Sequence, residues 1–87
     1  MNAIFDIQDI GEHIAKSRKE LGLSQSEVAK QAGVSRALLS GLETGQLHDP
    51  GVKKLLRILK VLGKGIRIVT AGPPTLDDLL ASQEEDL

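Results

Sequence analysis

Side chains that could carry out catalysis are few in this chain and lie far apart in the sequence. His13 and His48 are the only histidines, and no cysteine is present to act as a nucleophile or metal ligand. The motifs of zinc proteases, phosphate-binding loops and serine hydrolases are absent. His13 has acidic neighbours but no second histidine close in sequence, so we expect no metal site. The sequence therefore predicts a protein that is not an enzyme and needs no cofactor.

Charge is distributed unevenly along the 87 residues. Residues 1–12 carry a net charge of −3, residues 13–64 one of +6 and residues 65–87 one of −4. A basic body with an acidic tail is typical of proteins that bind phosphate, although a solvated surface of mixed charge is the alternative. Within the basic part, Arg36 carries a guanidinium, a group that can pair bidentately with two acceptors.

Two short helical patterns place Arg36 in residues 24–45, SQSEVAKQAGVSRALLSGLETG, and they meet at Gly33. Ser24 is a good N-cap, with Glu27 as the reciprocal half of a capping box, and Ser35 is the N-cap of the next helix. Gly33 supplies the left-handed turn between them. Each helix has an apolar face, formed by Val28, Ala29 and Ala32 and by Leu38, Leu39 and Leu42. The pattern predicts a helix-turn-helix motif.

This stretch resembles the motif of Cro/CI-type (XRE) proteins with lambda-repressor-like domains. The matching residues, at the family's spacings, are Gln25, Val28, Ala29, Gly33, Val34, Leu39, Leu42 and Glu43. The resemblance covers Ile10 to about Gly63 and implies a mainly α domain of four to five helices. It also implies an ion pair between Arg18 and Glu43, the alternative being an exposed Arg18.

The resemblance further implies that the second motif helix enters the major groove of double-stranded DNA. Arg36 would then read a base, with a phosphate contact as the alternative. Gly41 departs from the family, in which a longer polar residue is usual, and Leu38 is open between groove contact and packing. The resemblance puts its DNA-binding residues on the exposed side of this helix: Ser35, Arg36, Ala37, Ser40 and Gly41. Gln25, at the start of the other motif helix, is a candidate to bind a DNA phosphate, and weaker phosphate candidates are Gln46, His48 and Lys53.

Helices are also predicted on both sides of the motif. Asp6 or Asp9 caps a first helix that runs to Leu21, with Ile7, Ile10, Ile14 and Leu21 on its apolar stripe. Asp49 and Pro50 are expected to begin a last helix that ends at Leu62. Its core stripe is Val52, Leu55, Leu56, Leu59 and Leu62, whereas Ile58 and Val61 form a second apolar side that we assign to a homodimer.

The chain after this helix changes to a β pattern in residues 65–71, GIRIVTA. A lone strand needs a hydrogen-bonding partner, so we expect an antiparallel ribbon with a second copy, through Ile66, Ile68 and Thr70. An extended loop on its own domain is the alternative. The predicted organisation is a DNA-binding domain (6–63), a dimerisation strand (64–71) and an acidic tail with a short helix from Leu76 to about Ser82 (72–87).

These patterns together predict a homodimeric, sequence-specific transcriptional repressor that binds a palindromic operator. The small size, terminal strand and acidic tail are similar to HipB-type antitoxins, which implies a HipA-like kinase toxin as partner and an autoregulated operon. The alternatives are a stand-alone XRE-type regulator and a protein-interaction module that has lost DNA binding. With no membrane span, no signal pattern and no cysteine, we expect the cytoplasm.

Overall fold

Four α-helices form the part of the chain that this computed structural model describes, residues 6–70. They are α1 (Ile7–Glu20), α2 (Gln25–Ala32), α3 (Arg36–Thr44) and α4 (Val52–Val61). Helix α1 packs on α3, and α2 packs on both α3 and α4. The predicted mainly α, helix-turn-helix architecture is confirmed. None of these four helices is long and apolar enough to cross a bilayer.

The first three helices begin at the N-caps that the sequence predicts. Asp6 Oδ1 accepts a hydrogen bond of 2.8 Å from the N–H of Gln8. Ser24 Oγ accepts from the N–H of Glu27 at 3.0 Å, and Glu27 Oε1 accepts from the N–H of Ser24 at 3.2 Å, which completes the capping box. Ser35 Oγ accepts from the N–H three residues later, also at 3.0 Å. Each cap satisfies a donor that the first turn leaves unpaired.

The turn between α2 and α3 depends on Gly33, which has a φ of 70° and a ψ of 34°. L side chains rarely adopt this conformation, and glycine does so at little cost. The next residue, Val34, donates its N–H to Ala29 O at 3.0 Å, which closes the end of α2. The chain is thereby redirected within three residues.

Among residues 6–70, the core consists of aliphatic side chains and lies among all four helices. The buried cluster consists of Ile14, Val28, Ala29, Ala32, Leu39, Leu42, Leu55, Ile58 and Leu62. Ile7 and Ile10 are half-buried and pack against it, as the stripe on α1 predicts. Leu21 differs from the prediction, because it is the C-cap residue beyond the last turn of α1 and is 55% exposed.

Helix α4 begins later than predicted, at Val52, with Gly51 as its N-cap. Asp49 Oδ1 accepts a hydrogen bond of 3.0 Å from the N–H of Gly51. The side chain of Asp49 therefore closes a local turn before the helix and does not cap its first turn.

The buried side of α4 also differs from the predicted stripe. Leu55, Ile58 and Leu62 are buried, whereas Val52 is 69% and Leu56 is 42% exposed. Ile58 is fully buried within its own protomer (0% exposed), so its assignment to a dimer interface is wrong. Val61, the other residue assigned to that side, is half-buried and packs against the core. The core side of α4 thus includes Ile58 and Val61 of the predicted second side, while Val52 and Leu56 of the predicted stripe face away from it.

Residues 65–70 have no regular secondary structure and are exposed. No backbone hydrogen bond joins them to another residue within 6–70, and Ile68 is 95% exposed. The side chain of Ile68 therefore does not pack on its own domain. The ribbon requires a second copy and stays a prediction. Ala71, the predicted helix from Leu76 to Ser82 and the acidic tail lie outside the described residues.

Candidate nucleic-acid interface

The start of α3 presents three polar or small side chains on one surface. Arg36 and Ala37 are exposed in the first turn, and Ser40 lies one turn later, half-exposed. All three line the same shallow depression. Among residues 6–70, Arg36 has no carboxylate partner within 4.0 Å. Its guanidinium is therefore available to pair with two acceptors of a planar partner.

The opposite end of α3 is held by the ion pair that the resemblance implies. Arg18 Nε donates to Glu43 Oε2 at 2.8 Å and Arg18 Nη2 donates to Glu43 Oε1 at 2.9 Å, a bidentate geometry. Arg18 Nη1 also donates to Leu23 O at 2.9 Å. Only 11% and 4% of the two side chains are exposed. The pair therefore joins α1, the α1–α2 turn and α3 through directional contacts.

Gln25 belongs to the same network. Its Nε2 donates to Glu43 Oε1 at 3.1 Å, and its side chain is half-buried. One amide N–H of Gln25 is thus engaged inside the protein, although the sequence assigned this residue to a phosphate. With Gln25 at the first residue of α2, the network joins three helices at one carboxylate.

Arg18 stays in its charged form despite its burial within this network. The hydrogen bonds to Glu43, opposed by burial, raise the pKa of Arg18 above its ordinary value. A raised pKa favours folding at every pH below the unfolded value, and this contribution disappears only as the pH rises through the folded value. Arg18 is therefore charged throughout the physiological range.

Gly41 does not lie on the exposed surface where the sequence placed it. It is half-buried beneath Leu47, whose N–H donates to Gly41 O at 2.9 Å. A Cβ added at Gly41 would lie 3.1 Å from the Cβ of Leu47. The missing side chain thus makes room for the loop after α3. Leu38, left open between two roles, is half-buried and packs against the core.

The remaining predicted DNA-binding residues are exposed and belong to different parts of the chain. Ser35 is exposed while its Oγ caps α3. Gln46 and His48 are exposed in the loop after α3. Lys53 is exposed on α4, a helix that packs on α2.

Sequence reasoning missed two contacts that position the helices. Gly11, buried in the middle of α1, lies against the backbone of α3, where an added Cβ would overlap the carbonyl oxygen of Leu42. A glycine in a helix interior costs about 1 kcal/mol relative to alanine, which was a usable signal. Arg57 Nε donates to Ala32 O at 3.0 Å and so caps the end of α2. Nothing local relates these two residues, which are 25 positions apart.

Comparison with known proteins places this geometry in a family. The helix-turn-helix family HTH_3 matches residues 14–69. SinR of Bacillus subtilis, an HTH-type transcriptional regulator, is 40% identical over 53 residues, which are 61% of this chain and 48% of SinR. The chain thus spans about half the length of SinR. The ImmF control region 10 kDa protein of Bacillus phage phi105 is 35% identical over 66 residues, 76% of this chain and 72% of that protein.

Solved structures agree with this result. SinR, described as the master regulator for biofilm formation and solved in complex with DNA, has a TM-score of 0.61 and 38% identity, covering 64% of this chain and 89% of that one. HipB in its O4 20mer complex has a TM-score of 0.74 over 83% of this chain and all of that one, and its 22% identity makes this a likeness of fold. The chain belongs to the XRE-type helix-turn-helix family of transcriptional regulators, with a lambda-repressor-like fold.

Proposed function

We propose that this protein is a sequence-specific, DNA-binding transcriptional repressor that acts as a homodimer on a palindromic operator. Helix α3 lies in the major groove, where Arg36 pairs with a guanine, the methyl group of Ala37 contacts a thymine methyl, and Ser40 binds a base or phosphate. The observation that supports this most strongly is the exposed Arg36, which has no carboxylate partner among residues 6–70 and lies at the first residue of a helix whose far end is anchored at Glu43.

Dimerisation is part of the proposal because one module makes few base contacts. Two copies related by a two-fold axis would place their α3 helices on half-sites about 34 Å apart. Ile66, Ile68 and Thr70 alternate with their neighbours and therefore share one face of an extended segment. That segment is exposed, with Ile66 at 55% and Ile68 at 95%. Pairing it with a second copy would satisfy its backbone and cover its β-branched side chains.

The test of DNA recognition begins with selection of a preferred duplex from a random pool by the wild-type protein. Arg36→Ala should then weaken binding to that duplex by about 1–3 kcal/mol, or about 5- to 150-fold. Lys16→Ala is the control, because it removes an exposed cation of α1. Equal affinities for Arg36→Ala and Lys16→Ala would remove Arg36 from the interface.

The test of the dimer is sedimentation equilibrium at micromolar concentration. Ile68→Asp should shift the protein toward monomer, because each dimer would bury the new carboxylate twice. Leu21→Asp is the matched control, since Leu21 is an exposed leucine at the far end of α1. A wild-type protein that sediments as a monomer would contradict the ribbon.

Within this function, we propose that the protein is the antitoxin of a HipBA-like operon that it represses. The support is the layout of the chain, a helix-turn-helix domain followed by the β pattern at 65–71 and an acidic tail. HipB was solved in a HipA–HipB–O2–O3 complex. Co-purification with a HipA-like kinase encoded by the adjacent gene would support the antitoxin role.

Two alternative functions have their own tests. Absence of such a gene would favour the stand-alone regulator. Duplex binding that does not weaken as salt rises would favour the interaction module.

A further inference from the structure

Helix α4 carries a second exposed surface, on the side opposite its buried residues. The spacing i, i+3, i+4 and i+7 places its members on one helical face. We call this surface the α4 basic face, formed by Lys53, Leu56, Arg57 and Lys60. All four are exposed, with Leu56 at 42% and the adjacent Val52 at 69%. The face therefore combines cations with apolar area.

The cations of this face have no counterions in the described domain. Residues 50–64 contain five Lys or Arg and no Asp or Glu. Within residues 6–70 there is one salt bridge, Arg18–Glu43, so no carboxylate lies within 4.0 Å of Lys53, Arg57 or Lys60. Arg57 and Lys60 also line a depression with Gln31 and Val61. Uncompensated charge beside exposed leucine favours an acidic, amphipathic occupant.

The chain itself contains such a segment. Residues 72–87, GPPTLDDLLASQEEDL, carry five acidic side chains and no basic one, and they interleave Leu76, Leu79 and Leu80 with Asp77 and Asp78. Both charge and apolar spacing are thus complementary to the α4 basic face. We propose that this acidic segment docks on the α4 basic face of its own chain.

The connecting segment is long enough for this contact. Residues 63–75 can extend to about 45 Å, whereas the ten residues of α4 are about 15 Å long. The acidic segment therefore reaches any turn of α4. Because this short tether keeps the segment on the same chain as α4, its effective concentration there is about millimolar, so weak charge-assisted contacts suffice.

Two other occupants fit the face less well. A second copy docked through the same patch would oppose like charges, because a two-fold contact pairs a surface with itself. Duplex DNA would meet the cations but leave Val52 and Leu56 without apolar partners. The acidic segment satisfies both features, and DNA becomes an outcome of the test.

The experiment uses a nitroxide on Ser82→Cys in the full chain, which has no other cysteine. Amide signals are compared at Lys53 and Leu56, because these residues lie in the first half of α4, far from the tether. We expect both signals to broaden at low salt, while those of Glu12 and Lys16 on α1 do not. About 1 M salt should abolish the effect, since the Debye length is then about 3 Å.

The matched control carries the same label on a neutralised segment, with Asp77→Asn, Asp78→Asn, Glu84→Gln, Glu85→Gln and Asp86→Asn. It keeps the tether and the leucines and should lose the broadening at Lys53 and Leu56. Equal broadening in both proteins would overturn the proposal. Broadening that arises only from the nitroxide of another chain, detected in a mixture of nitroxide-labelled and unlabelled chains, would overturn it as well. Movement of the α4 signals on addition of duplex alone would assign the face to DNA instead. The broadening is first measured without any DNA, so the test of docking gives its result whether or not the protein is a repressor.

Discussion

Helices α3 and α4 both pack on α2 and both expose cations, but they are attached in different ways. Helix α3 is joined to α1 and α2 by the Arg18–Glu43–Gln25 network, with hydrogen bonds of 2.8–3.1 Å to one carboxylate. Helix α4 is joined to α2 by aliphatic packing and one side-chain hydrogen bond, from Arg57 to Ala32 O.

The two kinds of attachment fix different properties of a helix. The ion pair fixes the orientation of α3, whereas apolar packing holds α4 close to the domain. Bidentate ion pairs act at fixed distances and angles, so they determine how α3 is directed. Apolar burial is non-directional, so it holds α4 against the domain without fixing its rotation as narrowly. Disruption of the network should therefore change both stability and DNA recognition. Disruption of α4 packing should change stability alone.

The largest effect is expected from Glu43→Ala, because this change removes the carboxylate that pairs with the nearly buried Arg18 guanidinium. We expect a loss of about 3–5 kcal/mol in the free energy of unfolding, measured by urea denaturation. The double variant Arg18→Met, Glu43→Leu removes both charges and should recover most of that loss. A double variant as unstable as Glu43→Ala would contradict the role of the unpaired charge.

The next effect compares two neighbouring positions of α4. Ile58→Ala should lower the free energy of unfolding by about 2–5 kcal/mol, because it opens a cavity in the core. Leu56→Ala, on the exposed face, should change it by less than about 0.5 kcal/mol. Comparable losses at the two positions would show that α4 is rotated from the orientation described above.

A third variant tests the close approach of α1 and α3. Gly11→Ala should destabilise the protein by about 1–3 kcal/mol, since the new methyl group overlaps backbone that cannot rotate away. Gly65→Ala is the control, because a Cβ there meets nothing within 4 Å. Thermal unfolding of the two variants gives the comparison, and a Gly11→Ala protein as stable as Gly65→Ala would refute the contact.

The smallest effect is expected at the polar contact between α2 and α4. Arg57→Met removes the hydrogen bond to Ala32 O and should cost about 1 kcal/mol in unfolding free energy. Lys53→Met removes a cation of the same helix that makes no such bond and should be close to neutral. Equal urea midpoints for the two variants would show that the Arg57 contact contributes nothing.

Local chemistry made the helix starts predictable from the sequence. Ser24, Glu27 and Ser35 act on backbone groups two or three residues away, and their patterns were interpreted correctly. Asp49 was misread because an aspartate before Pro-Gly can either cap a helix or close a turn, and both use the same carboxylate. The structure shows the turn, with its bond to Gly51.

Contacts between distant residues could not be inferred in the same way. Helix α4 has apolar residues on more than half of its circumference, so the location of α2 decides that Ile58 faces the core while Leu56 faces solvent. Gly41 looked available for DNA because nothing in its neighbourhood indicated that Leu47 would cover it. The Arg18–Glu43 pair was anticipated from family resemblance, and spacing alone would not have given it.

The brevity of α2 and α3, 8 and 9 residues, has a consequence for protein engineering. Isolated helices shorter than about 12–15 residues are marginal in water, so a peptide of residues 24–45 alone would not keep the angle between α2 and α3. The carboxylate that orients α3 is held by an arginine outside that peptide. A designer who wishes to transplant this helix-turn-helix motif into another scaffold must carry α1 and α4 with it.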